Sequence, residues 1–369
     1  MNRSKSRLFI KREPVLSISW VLAFISMAFV LPSPSYLHYV DWKVLGCLFA
    51  LMLVVAGLRK MYLFTKLSTV VLRLAHNPRQ VAAMLVGLTF FSSMAITNDV
   101  ALITFVPLTI VVFSLCNEQK PILMTVVLQT VAANVGSALT PVGNPQNLFL
   151  YSYYAIPLQT FLLTMAPLVG AGALLAGALL FLIPTRSKDF FLHVQEVPPL
   201  EAGKLVRYLM LFLLSLAAVF NLLPWYLAVA LVIVFSEKVL LKHVDYSLLL
   251  TFIGFFVFVG NLGELELVTI VLQRVLQGRE FLTSLGASQI ISNVPATLLL
   301  AQFTDNSRDL LLGVNAGGCG TLIASMASVI SFTCYTHYKP SEAGKFLFVF
   351  SWVNILFVAL FLLLWVVWY

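Results

Sequence analysis

Two patterns of neutral, oxygen-bearing side chains occur twice in a chain that is otherwise almost wholly apolar. Ser93-Met-Ala-Ile-Thr97-Asn98 is matched by Ser288-Gln-Ile-Ile-Ser292-Asn293, and Asn134-Val-Gly136-Ser-Ala-Leu-Thr140 by Asn315-Ala-Gly317-Gly-Cys-Gly-Thr321. Hydroxyls and amide oxygens are hard, uncharged donors, suited to coordinating Na⁺ or to hydrogen-bonding an oxyanion. Such residues also cap helices and join them in bilayers. Recurrence of one spacing in two halves favours a shared central site of the kind a two-repeat membrane transporter carries.

Downstream of the first Asn-x-Gly pattern the chain reads Thr140-Pro141-Val142-Gly143-Asn144-Pro145-Gln146-Asn147. Two prolines and a glycine inside a crossing segment predict an unwound stretch, with free carbonyls available as ligands. The matching stretch from Thr321 to Ser328 has no proline but follows Gly317, Gly318 and Gly320. Beside the first Asn stands Asp99, the single acidic residue placed near the midplane. It could cap a helix starting at Val100. A carboxylate at that depth is costly, however, which favours a role as a Na⁺ ligand or proton carrier.

The elements that would hold these residues follow from composition. Hydrophobic residues make up 60% of the chain and charged residues 10%, with a mean hydropathy of +0.96. That is a multi-span membrane protein, and runs of about 17 to 25 apolar residues make it all-α rather than a barrel. No cleavable secretory signal and no disulfide among Cys47, Cys116, Cys319 and Cys334 are expected. Spans are predicted at 15–31, 40–58, 121–155, 157–183, 207–223, 225–240, 246–262, 309–338 and 345–369, in one transmembrane domain covering 1–369.

Segments 81–115 and 281–304 read instead as helix, polar tip, helix. The arm from Phe281 to Ile291 reaches only about 17 Å, short of a hydrocarbon core of about 30 Å, so it is expected to dip in and return. The first hairpin has longer arms and could be two full spans. With the amino terminus inside, the outer segments keep only Lys43, Arg274, Arg279 and Arg308, a strong positive-inside bias. That bias accounts for the net charge of +8 without a nucleic-acid partner. Two inverted repeats result, 40–183 and 246–369, each with a surface amphipathic stretch (59–80 and 263–280), a re-entrant hairpin and a broken span (121–155 and 309–338).

Ser-x4-Asn in a hairpin followed by Thr-Pro-x-Gly-x-Pro-x-Asn in a broken helix resembles the ion transporter superfamily of secondary carriers, over about residues 40 to 369. That superfamily includes sodium-coupled di- and tricarboxylate symporters, arsenite-efflux permeases and a class of sodium/proton antiporters. The resemblance implies an elevator-type homodimer in the cell membrane, with the coupling cation in place of any cofactor. It implies one cation site at Ser93, Asn98, Asn134 and Gly143 and a second at Ser288, Asn293, Asn315 and Ala324. Substrate contacts would come from Thr97, Asn98, Asp99, Thr140, Pro141, Asn144, Asn147, Ser292, Asn293, Thr321 and Ser325. The symporters read Ser-Asn-Thr at each tip, whereas this chain has Thr97-Asn98-Asp99 and Ser292-Asn293-Val294. The Thr321 to Ser328 loop looks more like the arsenite-permease and antiporter branch.

The expected function is cation-coupled transport of a small anion, a di- or tricarboxylate, with sodium/proton antiport or arsenite export as the alternative. An intramembrane enzyme would need a nucleophile beside a base, and no His or Cys arrangement supplies one. A channel would need polar residues along a whole path. Without a Gly-x4-Gly-Lys-Ser/Thr loop, the chain by itself is not expected to hydrolyse ATP.

Overall fold

The computed structural model describes residues 13–116, 118–185 and 198–368. The basic amino-terminal segment and Arg186 and Lys188 lie outside them. Among the described residues the chain is helical, with no strand. Among the described residues seven helices are long and apolar enough to cross a membrane. The order is α1 (Pro14–Ser26), α2 (Trp42–Lys60), α3 (Leu63–Leu72), α4 (Pro78–Ile96), α5 (Asn98–Leu115), α6 (Lys120–Ser137), α7 (Pro145–Tyr153) and α8 (Leu158–Leu179). There follow α9 (Ala202–Val219), α10 (Trp225–Phe235), α11 (Tyr246–Gly263), α12 (Glu266–Leu276), α13 (Glu280–Ile291) and α14 (Asn293–Ala301). The chain closes with α15 (Ser307–Gly317), α16 (Met326–Tyr338) and α17 (Ala343–Trp368).

Two expected spans are shorter than predicted. α1 stops after 13 residues, and the chain turns through Ala28 to Val30, with Pro32 and Pro34 keeping it out of helix until the single turn Tyr36–Tyr39. The Tyr36 hydroxyl closes this turn by donating to the Val30 carbonyl at 2.6 Å. α10 stops at Phe235 after 11 residues. The backbone then runs extended so that Glu237 can reach Lys60 Nζ at 2.7 Å and Arg207 at 3.7 Å. The Lys60 ammonium, hydrogen-bonded to it, holds the Glu237 carboxyl below the usual carboxylate range. α2, α9 and α10 pack together around the buried Tyr208.

Both predicted hairpins are helix pairs with a one-residue break. α4 and α5, of 19 and 18 residues, are each long enough to span. α13 and α14, of 12 and 9 residues, reach about 18 and 14 Å, less than the roughly 30 Å core. Asn77 caps α4 by accepting from the Gln80 amide at 3.0 Å, with Pro78 in the first turn where its missing N–H is harmless.

Both predicted broken spans are interrupted. α6 ends at Ser137 and α7 begins at Pro145, which opens the second half rather than breaking the first. α15 ends at Gly317, and a single 3₁₀ turn, Leu322–Ala324, precedes α16.

Packing between these elements is paired. α4 lies on α6, and α13 lies on α15. The second arms cross over: α5 packs against α16, the far half of the second broken helix, and α14 against α7, the far half of the first. Tyr154 Oη secures this crossing by donating to the carbonyls of Ala301 at 2.8 Å and Thr304 at 2.7 Å.

Candidate functional site

The two tips share one unusual backbone conformation. Thr97 has φ 71°, ψ 149° and Ser292 has φ 73°, ψ 154°. That region is normally left to glycine and costs about 1–3 kcal/mol for a side-chain-bearing residue. Each tip then opens its second arm in the same way. Asn98 Oδ1 accepts from the Asp99 amide at 2.9 Å, and Asn293 Oδ1 from the Val294 amide at 2.9 Å. Asp99 therefore sits in the first turn of α5 and is not its cap. Its Oδ1 is buried with no hydrogen-bond partner.

The tips meet the broken helices through matched contacts. Thr140 Oγ1 donates to the Met94 carbonyl, and Thr321 Oγ1 donates to the carbonyl at the corresponding place, Gln289, at 2.9 Å. A Cβ on Gly136 would lie 2.6 Å from Ser93 Oγ and closer still to the Phe90 carbonyl oxygen. A Cβ on Gly317 would lie 2.7 Å from Ser288 Oγ. Ser93 and Ser288 are thus buried where hairpin and broken helix touch, their hydroxyls bonded to the carbonyls of Phe90 and Ser284.

This close approach yields a prediction. Gly136→Ala and Gly317→Ala should each lower the melting temperature of the purified protein, by about 1–3 kcal/mol of overpacking strain. Gly87→Ala, at a helical position with nothing within 4 Å, should be neutral or stabilising. Equal melting temperatures for all three would contradict the packing described here.

Five of the asparagines, Asn98, Asn134, Asn144, Asn147 and Asn315, form one network joined through Ser137, whose Oγ accepts from Asn144 Nδ2 at 3.2 Å and donates to the Asn134 carbonyl at 3.1 Å. Asn98 Nδ2 donates to Asn134 Oδ1 at 3.0 Å, and the Asn98 amide donates to the Gly143 carbonyl at 3.1 Å. Asn134 in turn reaches across to the second half. Its Nδ2 donates to the Gly318 carbonyl at 3.0 Å, and its Oδ1 also accepts from Ser325 Oγ at 3.0 Å. Asn315 crosses the other way, donating to Asn147 Oδ1 at 2.7 Å and accepting from Asn144 Nδ2 at 3.3 Å. Asn144 also caps α7 by accepting from the Asn147 amide at 3.0 Å. Asn147 Nδ2 binds the open carbonyls of Ala138 and Thr140, both at 3.2 Å, with Pro141 buried in the same loop. In the second half, Ser292 Oγ lies 3.4 Å from the Ala324 carbonyl.

Of the residues singled out in the sequence, the first-half set Asn98, Asn134 and Gly143 therefore meets, and so do Ser292 and Ala324. Asn315 is bonded to the first broken helix rather than to its own hairpin. Gln289, Ser137 and Gln146 were not anticipated. Gln289 Nε2 binds the Gly317 and Cys319 carbonyls at 2.9 and 3.2 Å, and its Oε1 accepts from the Thr321 amide at 2.8 Å. It had no polar counterpart in the first hairpin, where Met94 stands, so repeat logic passed over it.

A cavity of about 70 Å³ lies against both tips, lined among others by Asn98, Asp99, Gln146, Ser292, Asn293 and Ser325. Glu13 and Asp245 also face it, and among the described residues no Lys, Arg or His does. Helices of membrane-crossing length surrounding a central polar cavity, with paired tips and broken helices, define a multi-span helical membrane transporter.

The chain belongs to the citrate transporter family, whose model matches residues 8–308. It is 35% identical to an uncharacterized transporter of Methanocaldococcus jannaschii over 297 residues, 80% of this chain and 81% of that one. It is 33% identical over 319 residues to an inner membrane protein of Escherichia coli, covering 84% and 85% of the two chains. A shorter match, 32% over 137 residues, covers 36% of this chain and 27% of a silicon efflux transporter of Oryza sativa.

Proposed function

We propose that this protein is a secondary active transporter that moves a small anion, a di- or tricarboxylate, across the cell membrane together with Na⁺ or H⁺. The observation that carries the reading is the single asparagine network, in which each broken helix supplies an asparagine to the other beneath the two tips. Neutral oxygens at matched places in two halves suit small cations, and two pairs of helix ends facing one cavity suit a solute held between them. The halves act as inverted repeats, the amino terminus is cytoplasmic, and the protein works as a homodimer. The cation sites are Ser93, Asn98, Asn134 and Gly143, and Ser288, Asn293, Asn315 and Ala324. The cavity opens toward the cytoplasm, because Glu13 and Asp245 on its wall belong to segments assigned to that side.

A second reading, cation antiport or arsenite export, draws support from the charge of the cavity. Among the described residues three carboxylates and no basic group line it, so a polyanion enters only with cations that offset them. The match to a silicon efflux transporter points the same way. Flux in proteoliposomes separates the two. Saturable uptake of labelled citrate, succinate or malate that requires an inward Na⁺ or proton gradient supports the first. Exchange of sodium for protons with no effect of carboxylates, or efflux of arsenite, replaces it with the second.

Motion is part of the proposal: α4 to α7 and α13 to α16 travel as one body past a scaffold of α1, α2 and α9 to α11. Phe149 on α7 and Phe256 on α11 face each other across that boundary, ring centroids 5.7 Å apart. With the native cysteines replaced, a Phe149→Cys/Phe256→Cys pair joined by a short cross-linker should arrest turnover, and reductive cleavage of the linker should restore it. Unchanged turnover after complete cross-linking would rule out relative movement at this contact.

A further inference from the structure

Asp99 is not the sole carboxylate facing the space beside the first tip. Asp245 stands at the start of α11, where its Oδ1 caps the helix by accepting from the Leu248 amide at 2.9 Å. Asp99 and Asp245 line the tip cavity together with Gln146, Ser247 and Thr251. They also share a second cavity, between the first tip and α2, walled by Thr97, Val142 and Pro145. Among the described residues no Lys, Arg or His lines either cavity. The remaining charged group is Glu13, on the wall of the first. Arg59, Lys60 and His243 face Asp245 from a third cavity on its far side, and Lys60 is already engaged by Glu237 at 2.7 Å.

Two carboxylates share one space, and Asp99 has a buried oxygen with no hydrogen-bond donor; the basic groups beside Asp245 line a cavity that Asp99 does not reach, so among the described residues no basic group offsets the charge at Asp99. Burial without a partner is costly, and a cation relieves it. We infer that Asp99 and Asp245 jointly hold one monovalent cation, Na⁺ or H⁺, at a site distinct from the asparagine network. The inference rests on the cation-coupled reading above and adds a scaffold residue to it. Asp99 rides on the hairpin, whereas Asp245 belongs to α11. A cation between them ties the moving body to the scaffold in this facing state, and its departure removes the tie. Gln146, Ser247 and Thr251 supply further oxygens on the same wall.

The test is the thermal stability of the purified full-length protein, measured against NaCl replaced by choline chloride at constant ionic strength, and separately against pH. Asn caps a helix about as well as Asp, so Asp245→Asn keeps the fold while removing the charge. Asp99→Asn and Asp245→Asn should each weaken the Na⁺-dependent stabilisation by about tenfold in apparent affinity, the effect of losing one charged ligand. If the ion is a proton, each should instead flatten the pH dependence. The double variant should be no worse than either single one, as expected of groups serving one ion, and Glu266→Gln, in the first turn of α12 and away from both cavities, should respond as the parent does. A parent-like Asp245→Asn beside a defective Asp99→Asn would overturn the pair and leave cation coupling at Asp99 standing. Additive losses would assign the two residues to separate ions and overturn the shared site. A parent protein indifferent to both Na⁺ and pH would overturn the coupled-transport reading and this site with it.

Discussion

Alanine at Asn98 or at Asn293 is expected to abolish cation-dependent transport while leaving expression near normal. Each side chain has two duties. Its oxygen accepts from the first amide of the following arm, Asp99 or Val294, at 2.9 Å. Its amide nitrogen faces the broken helix of its own half. Asn98 Nδ2 donates to Asn134 Oδ1 at 3.0 Å, and Asn293 Nδ2 would be 3.1 Å from a Cβ placed on Gly318. Removing either leaves buried polar groups unmet, at about 1–3 kcal/mol. Spent on a cation site, that is about a tenfold to hundredfold loss of affinity, enough to stop turnover at limiting Na⁺ or a shallow pH gradient. Asn77→Ala is the control: it removes a cap bond far from the tips, to the Gln80 amide, and should cost about 1 kcal/mol of stability with transport retained. Parent-like flux in either tip variant at limiting cation would remove these asparagines from the ion path.

Asp99→Asn should uncouple flux from the ion gradient. Because Asp99 lies in the first turn of α5 and its carboxylate makes no cap bond, the Asn98 oxygen holding the Asp99 amide instead, substitution leaves the tip geometry in place. What disappears is a full charge and an exchangeable proton, at an oxygen that has no internal donor. Substrate flux in proteoliposomes across several pH and Na⁺ values, variant against parent, is the measurement. The expected result is flux that no longer follows either gradient. Curves that overlay those of the parent would make Asp99 a bystander and strengthen the carboxylate-symporter comparison, whose tips carry no acid there.

Much of this site was legible because it obeys local rules. A twice-repeated Ser-x4-Asn marked both tips to within a residue, since a polar break in an apolar helix pair has few places to go. The chain actually turns at Thr97 and Ser292, one residue before the asparagines, because each asparagine is needed as the first residue of its second arm. Pro141 and Gly143 marked the first interruption, and Gly317, Gly318 and Gly320 the second. The shortness of α1 and α10 was missed. Apolar runs there continue past the helix ends, and the stops are set by Pro32 and Pro34 in one case and by Glu237 reaching Lys60 in the other. Asp245 was passed over because it stands in a loop beside Lys242 and His243, where an acid looks like ordinary solvated surface.

By itself the sequence determined the solvent, the all-helical class, the two hairpins, the two interrupted helices and the set of neutral oxygens, because composition, helix length and proline or glycine breaks act over a few residues at a time. Only the tertiary structure decided which oxygens meet. Asn315 binds Asn144 and Asn147 of the other half, Asn134 reaches Gly318 and Ser325, and Asp245 comes to face Asp99 from a distant helix. Those partners are set by how α5 and α14 cross onto α16 and α7, and by glycines small enough at Gly136 and Gly317 for helices to touch at the backbone. Contacts of that kind depend on side-chain volume across two packed surfaces, which no spacing along one chain encodes.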